Sequence, residues 1–406
     1  MIVGSLLNLS FGALWANKLR SGLTFLGVVV GFTSVMTIIS ALEGMMGAIE
    51  ADLARLGPST FVVQKWGMAT THDQALEMMK RKELALETGK LIEDGCDLVE
   101  AVSYRCGANA RVKHGDRDLR DVRIGGNTYN HIAIVDMEVA QGRYHSREDD
   151  LHRRRVAFIG DFIREELYGG LDPIGKELRI DGVTYTVIGV AKKRGSMFGN
   201  NEDKFITIPF STHVRQFGHP GDRLAFFVKA LSVERLQDAQ DQVRMVLRSY
   251  RHVPYNKDDD FSMLTADNIL EVLNSITKVF RLGLIGISSI SVVVGGIVVM
   301  NIMMVAVTER TREIGIRKSV GARQRHILLQ FLFEALLTTL SGGVVGIVAG
   351  FLLAKMLVGM IDMDISPSTL AITVGLAIST GIGLIFGIYP AMKAARLDPI
   401  KALSYE

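Results

Sequence analysis

Four stretches without a single charged residue, 21–42, 282–308, 335–354 and 365–392, constrain this chain more than anything else in it. Each is about 20 residues or longer, and a helix rising ~1.5 Å per residue needs about that length to cross a hydrocarbon core. The chain of 406 residues is 48% hydrophobic with a mean hydropathy of +0.25, positive where a soluble enzyme of this size is normally negative. The pattern predicts a membrane α-helical protein with four transmembrane helices, at 20–43, 276–308, 327–355 and 366–391. It excludes a soluble dehydrogenase, a nucleic-acid binder and a disulfide-stapled secreted module.

Orientation follows from the short flanking segments, because Lys and Arg accumulate on the cytoplasmic side. Lys18 and Arg20 precede the first span. Arg310, Arg312, Arg317, Lys318, Arg323 and Arg325 separate the second from the third, and Lys393, Arg396 and Lys401 follow the fourth. The link at 356–365 has acids, Asp362 and Asp364, next to Lys355. Both termini, including the tail at 392–406, and the segment 309–326 are therefore expected in the cytoplasm, with 44–275 outside. The formal net charge of +3 comes from the membrane-adjacent pieces, since the outer segment is near neutral. The basic excess thus serves orientation, not nucleic acid. Residues 1–19 lack the basic n-region of a cleavable signal. Ile2, Leu6, Leu9, Ala13 and Trp15 suggest an amphipathic helix in the inner interface, or else a plain extension of the first span.

The outer segment is long enough for one or two globular domains. A helix leaving the membrane is expected to stop at Gly57-Pro58, a strand follows at 61–63, and 73–94 reads as helical. β-prone runs at 122–124, 156–159, 178–180, 185–190 and 205–208 are parted by turn signals, among them a hairpin at Asp181-Gly182. A strand at 224–229 and a helix over 232–250, capped by Ser232, come next. This order predicts a large α+β extracytoplasmic domain, split by a β-rich insertion at about 112–220. A helix over 265–281 should run straight into the second span and, with the helix after the first, form a stalk.

Sequences that carry common catalysis are missing. Gly89-Lys90 and Gly175-Lys176 lack the rest of a phosphate-binding P-loop. There is no His-Glu-x-x-His and no Gly-x-Ser-x-Gly. Eight of the nine histidines lie in the outer segment, none at tight ligand spacing, and scattered surface histidines are the expected reading. Cys96 and Cys106 either pair or stay as two buried thiols. Asp258-Asp259-Asp260 lacks the alternate spacing of a calcium loop and reads as an exposed turn.

The informative segment lies just past the second span, where Glu309, Arg310, Glu313, Ile314, Arg317 and Lys318 fall on a short charged helix ended by Gly321-Ala322. Such a helix suits docking of a cytoplasmic partner, and equally suits an ordinary positive-inside loop. Gly342, Gly346 and Gly350 in the third span, and Gly27 and Gly31 in the first, have the spacing that lets helices approach closely. Asn301 and Glu334 are polar groups near the inner ends of their spans, and Glu334 calls for an arginine from the 309–325 segment.

The stretch 300–335 resembles the coupling-helix region of the MacB-like (macrolide exporter) permease family of ABC transporters, which includes the FtsX and lipoprotein-releasing permeases. Gln141-Gly142-Arg143-Tyr144, Val156-Ala157-Phe158-Ile159-Gly160, Leu171-Asp172-Pro173-Ile174-Gly175-Lys176 and Tyr185-Thr186-Val187-Ile188-Gly189-Val190 resemble that family's signatures in order, as do Tyr389-Pro390-Ala391 and Asp398-Pro399-Ile400 near the end. The resemblance implies a split porter-like outer domain with a β-rich insertion, in a dimer of two copies or of a copy and a paralogue. It implies a non-catalytic inner-membrane subunit that binds no cofactor itself. ATP and Mg would be bound by a separate cytoplasmic ABC ATPase seated on Glu309, Arg310, Glu313, Arg317 and Lys318, with Ile314 as the apolar anchor. A periplasmic adaptor, an outer-membrane channel and membrane lipids are the further partners it suggests. It also implies mechanotransmission, in which ATP hydrolysis moves the outer domain. A macrolide exporter proper carries its ATPase in the same chain, and Gly57-Pro58-Ser59-Thr60 stands where many relatives have another turn. The alternative is a membrane regulator that senses a ligand or controls a periplasmic hydrolase without transport.

Overall fold

The structure, a computed structural model, describes residues 18–69, 71–197, 200–359 and 369–403. The interfacial helix expected at 1–19 and most of the link at 356–365 fall outside them. The chain forms two compact units, Met1–Met46 with Ile276–Glu406, and Gly47–Ser275.

Helix α1 (Lys18–Leu53) opens the described chain. The large unit then runs through β1 (Thr60–Gln64), α2 (His72–Lys80), α3 (Glu87–Gly95), β2 (Val99–His114), β3 (Arg117–Asn127), α4 (His131–Ile134), β4 (Val139–Gly142), α5 (Arg147–Leu151) and β5 (Val156–Ile159). It continues with α6 (Asp161–Tyr168), β6 (Glu177–Ile180), β7 (Val183–Ala191), a ribbon of β8 (Ser196–Met197) and β9 (Asn200–Asn201), β10 (Phe205–Pro209), α7 (Phe210–Phe217), β11 (Ala225–Ala230), α8 (Leu236–Tyr250) and β12 (Ser262–Thr265).

Ten of these strands form one sheet, in the order β12-β1-β11-β2-β3-β10-β5-β7-β4, with β6 bonded to β2 and β7. Two cores lie along it. In the first, Phe61, Val63, Phe226 and Val228 meet Ile92 of α3 and the Ala239, Val243, Leu247 stripe of α8, whose four-residue spacing keeps it on one helix face. In the second, Val122, Ile124, Ile159, Val187, Ile206 and Ile208 cover Ile163 and Leu167 of α6. The second core lies within the residues expected to form the insertion, and the boundary expected near 112 falls inside β2. That 16-residue strand bonds β11 at one end and β3 and β6 at the other, so the two parts share a sheet.

The Asp181-Gly182 hairpin is present, with Ile180 opposite Val183 and φ of 45° and 87° at the two turn residues, the left-handed pair that a tight hairpin needs. Ser232 does not cap α8, which begins at Leu236 after Arg235 with no side-chain cap. The Asp258–Asp260 run is a clamp, not a free turn: Asp259 meets Arg244 and Arg248 at 3.0 and 2.6 Å, and Asp260 meets Arg251 at 2.7 Å.

The second unit holds α1 to Met46, the later part of α9 (Ala266–Glu309), then α10 (Thr311–Ser319), α11 (Gln324–Gly359), α12 (Thr369–Ala395) and α13 (Pro399–Leu403). Helix α9 is unbroken from 266 onward, as the sequence predicts. Among the described residues three helices, α1, α11 and α12, are each long and apolar enough to cross a membrane. The count becomes four when Val293–Glu309 and α10, bent 61° apart, are taken as one span.

Candidate functional site

The chemistry of this chain gathers where α9 ends. The helix stops at Glu309 and α10 leaves at 61°. On α10, Thr311, Ile314 and Gly315 are buried, positions i, i+3 and i+4 of one face. Ile314, 1% exposed, joins Val307, Ile327, Phe331, Ala391 and Ala394 in the core of the bundle. Gly315 faces α13: a Cβ there would lie 2.8 Å from the Ala402 Cβ, so only glycine allows the two helices to meet. Helix α13 starts with Asp398, whose Oδ1 accepts from the Ile400 N–H at 3.0 Å, followed by proline at the first helical position, where its missing N–H costs nothing. The sequence motifs around 309–322 and 398–403 are thus two halves of one contact.

Polar side chains tie this platform to the bundle. Arg310 reaches Glu334 of α11 at 3.2 Å, the pairing the sequence calls for. Glu334 is 5% exposed. Arg317 Nη1 donates to Gln330 Oε1 at 2.8 Å, and its other nitrogen lies 3.9 Å from Glu313 one turn earlier. Lys318 Nζ donates to the Leu397 carbonyl at 2.6 Å, a cation placed at the end of α12 where helix carbonyls point.

These contacts change the roles read from sequence. Ile314 cannot be an apolar anchor for a partner, because its own bundle covers it. Ile316 and Val320, 49% and 85% exposed, lie on the outer face with Arg312 and Glu313. Ile400 and Leu403 of α13 are exposed as well, at 80% and 47%. Sequence reasoning missed these four apolar side chains. The signal was available, since 312, 313, 316 and 320 complement the inward face at helical spacing. Glu309 is exposed, and Asn301 faces out of the bundle.

The glycine series divides. Gly346 and Gly350 meet α1: a Cβ at Gly346 would lie 2.6 Å from the Phe32 Cβ, and one at Gly350 2.6 Å from the Met36 Cβ. Thr33 and Thr37 Oγ1 donate to the Gly346 and Gly350 carbonyls at 3.3 and 3.1 Å, joining the helices backbone to side chain. Gly31 and Gly342 are buried, the surroundings of Gly27 lie outside the described residues, and Gly343, not singled out by sequence, meets Ser379 of α12.

In the large unit, Cys96 and Cys106 are free and buried. His131, His145 and His213 are buried too, at 2%, 3% and 1% exposure, against the expected surface placement. Each has a partner: Ser103 Oγ at 2.8 Å, the Asn127 carbonyl at 2.9 Å and Cys106 Sγ at 3.2 Å. Burial holds His213 down to about 4 and pushes Cys106 up to about 12. Among the described residues no group of three or more His, Cys, Asp or Glu side chains could hold a metal. The signature Gln141-Gly142-Arg143-Tyr144 is structural. Gly142, at φ 74°, pairs with Gly189 across β4 and β7. Arg143 meets Asp149 at 2.6 Å, a carboxylate held well below its usual range although burial alone would raise it, by Arg143 and by Ser146.

Residues 21–246 match the family model described as MacB-like periplasmic core domain, and 285–399 match FtsX-like permease C-terminal. The macrolide export ATP-binding/permease protein MacB of Bdellovibrio bacteriovorus is 32% identical over 98% of this chain and 61% of its own length. The pyoverdine export ATP-binding/permease protein PvdT of Pseudomonas syringae pv. tomato is 34% identical over 97% of this chain and 58% of its own. The chain thus spans about three-fifths of the length of these relatives. The crystal structure of the periplasmic region of MacB from Actinobacillus actinomycetemcomitans is 14% identical, with a TM-score of 0.46 over 56% of this chain and 97% of that one. With both of its units matched in order, the chain belongs to the MacB-like, FtsX-type permease family of ABC transporters.

Proposed function

We propose that this chain is the membrane subunit of an exporter or releasing system, driven by a separate ABC ATPase that docks on α10 and α13 from the cytoplasm. The observation that carries the reading is the fastening of α10. It is a short helix set at 61° to α9 and held by Ile314, by Gly315 against Ala402, and by the Arg310–Glu334 pair. A load on its outer face would pass into α9 through these contacts, not be absorbed by a loop. Arg312, Glu313, Ile316 and Val320 are the docking residues in this reading, with Ile400 and Leu403 beside them. Arg310, Ile314, Arg317 and Lys318 hold the platform, and Glu309 stands at its hinge. The chain itself performs no catalysis; ATP and Mg act in the ATPase. Two copies, or a copy and a paralogue, form the working permease in the inner membrane, with both termini cytoplasmic and the large unit periplasmic. ATP-driven closure of the ATPases then moves the large unit by mechanotransmission, and an adaptor and outer-membrane channel would complete an export path.

The test is purification from the native membrane in mild detergent, with mass spectrometry of the co-purifying chains. A soluble ATPase at about equal stoichiometry, lost on reversing Arg312 and Glu313, is the expected result. A chain that emerges alone with nucleotide present, across several detergents, would favour the regulator reading instead.

A further inference from the structure

The large unit contains an open cleft of about 920 Å³ that plays no part in the coupling reading. Its floor is written twice in the sequence. Arg105-Cys106-Gly107-Ala108-Asn109 on β2 and Arg123-Ile124-Gly125-Gly126-Asn127 on β3 share the pattern Arg-x-Gly-x-Asn. The strands are antiparallel, with Arg105 opposite Asn127, Gly107 opposite Gly125 and Asn109 opposite Arg123. Residues two apart share a strand face, so one face bears an Arg–Asn pair at each end and two glycines between. All six of these residues line the cleft. A Cβ on Gly107 would meet nothing within 4 Å, which leaves the middle of the floor open.

Charge in the cleft is one-sided. Arg194 and Arg223 join Arg105 and Arg123 in its lining, against the single carboxylate of Glu202, and Glu202 already meets Arg123 at 3.1 Å. Among the described residues neither Arg105 nor Arg223 has a carboxylate partner. Although Arg105 keeps exposed surface, desolvation of its guanidinium and then the neighbouring Arg123 hold it below the usual guanidinium range. Asn127, 4% exposed, has an Oδ1 with no partner. That oxygen lies 3.6 Å from where a Gly125 Cβ would be, beside the floor. Phe227, Leu56, Val135 and Met137 supply an apolar side, and the Arg105 guanidinium sits 5.5 Å from the Phe227 ring centroid.

We infer that this cleft binds an organic anion, with its carboxylate or phosphate oxygens on Arg105 and Arg223, a hydroxyl or N–H offered to Asn127 Oδ1, and an apolar body against Phe227 and Leu56. Guanidinium groups present planar forks that match either oxyanion. The inference does not depend on the ATPase reading.

Calorimetric titration of the full chain in phosphatidylcholine nanodiscs tests it, with empty nanodiscs as the blank and phenyl phosphate, mandelate, phenylacetate and phenyltrimethylammonium as probes. The anions should bind at low salt, the cation should not, and affinity should weaken as ionic strength passes about 0.15 M. Combining Arg105→Gln with Arg223→Gln should weaken anion binding at least about tenfold with melting unchanged. Gly107→Leu, pointing into open space, should block the site in a folded protein. Phenyl phosphate binding above mandelate supports the site with phosphate as the head group, and the reverse supports it with carboxylate. Mandelate no tighter than phenylacetate would overturn the part assigned to Asn127. Equal binding of the cation, unchanged anion binding in either folded variant, or no anion binding at low salt would overturn the site itself.

Discussion

The two units bury polar groups by opposite means. In the large unit a ten-stranded sheet leaves side-chain polar groups to find partners one at a time, and His131, His145 and His213 do so in the neutral state. In the membrane unit the helices satisfy their own backbones. Close contact there comes from glycines, Gly346 and Gly350 against α1 and Gly315 against α13, and the buried carboxylate of Glu334 is matched by Arg310. The difference teaches that the large unit should respond to pH, and the membrane unit to shape and to the loss of one charge.

The largest effect belongs to the ion pair. Glu334→Ala removes the carboxylate from Arg310 and should destabilise the membrane unit by about 3–5 kcal/mol, read as loss of folded yield and a lower detergent melting temperature. A loss below about 1 kcal/mol would mean that the pair is not buried in the membrane. Ile314→Ala should cost about 3 kcal/mol as a core truncation. An unchanged melt with lost partner binding would instead return Ile314 to a docking role.

The large unit sharpens the comparison through pH. His213 titrates near 4 when folded, against about 6.5 in an unfolded chain. Below about 6.5 the unfolded state takes up a proton that the folded state refuses. Stability present at neutral pH therefore declines by up to ~1.4 kcal/mol per pH unit, and the loss from this residue is complete near 4, about 3 kcal/mol in all. Denaturant melts of the large unit across that window should show the slope, and His213→Asn should flatten it. A pH-independent melt would contradict the neutral, buried assignment.

Gly350→Leu should cost about 1–3 kcal/mol by overpacking α11 against Met36 and the Thr33 backbone, while Gly47→Ala, inside α1 where a Cβ meets nothing within 4 Å, should stabilise by about 0.5–1 kcal/mol. The smallest effect is expected at the outer face of α10. Ile316→Ala and Val320→Ala should change stability by less than about 0.5 kcal/mol while weakening recovery of the ATPase.

How much of this was readable beforehand depends on how local each feature is. The spans were legible because absence of charge over twenty or so residues is a local property, β5 because it is a short continuous apolar run, and β7 and the Asp181-Gly182 turn because alternation and turn chemistry are local too. The length of β2 was not, since its exposed Glu100, Arg105 and Lys113 interrupt any apolar run. Burial of His213 depends on Cys106, 107 residues away. The inward turn of Ile314 depends on the contact of Gly315 with a helix that starts at Pro399, a partner no local pattern announces. At the candidate site the charged segment was legible, but Arg312 was not among the residues singled out from it, and the division into side chains that fasten the platform and those that face outward needed the third dimension.

The central claim is that the outer face of α10 receives an ATPase while its inner face only holds the helix. The most direct measurement is quantitative co-purification of that ATPase with a double charge reversal, Arg312→Glu with Glu313→Lys, alongside the detergent melting temperature. Loss of the ATPase with an unchanged melt is the expected result. Full recovery of the ATPase by a variant that melts normally would contradict it.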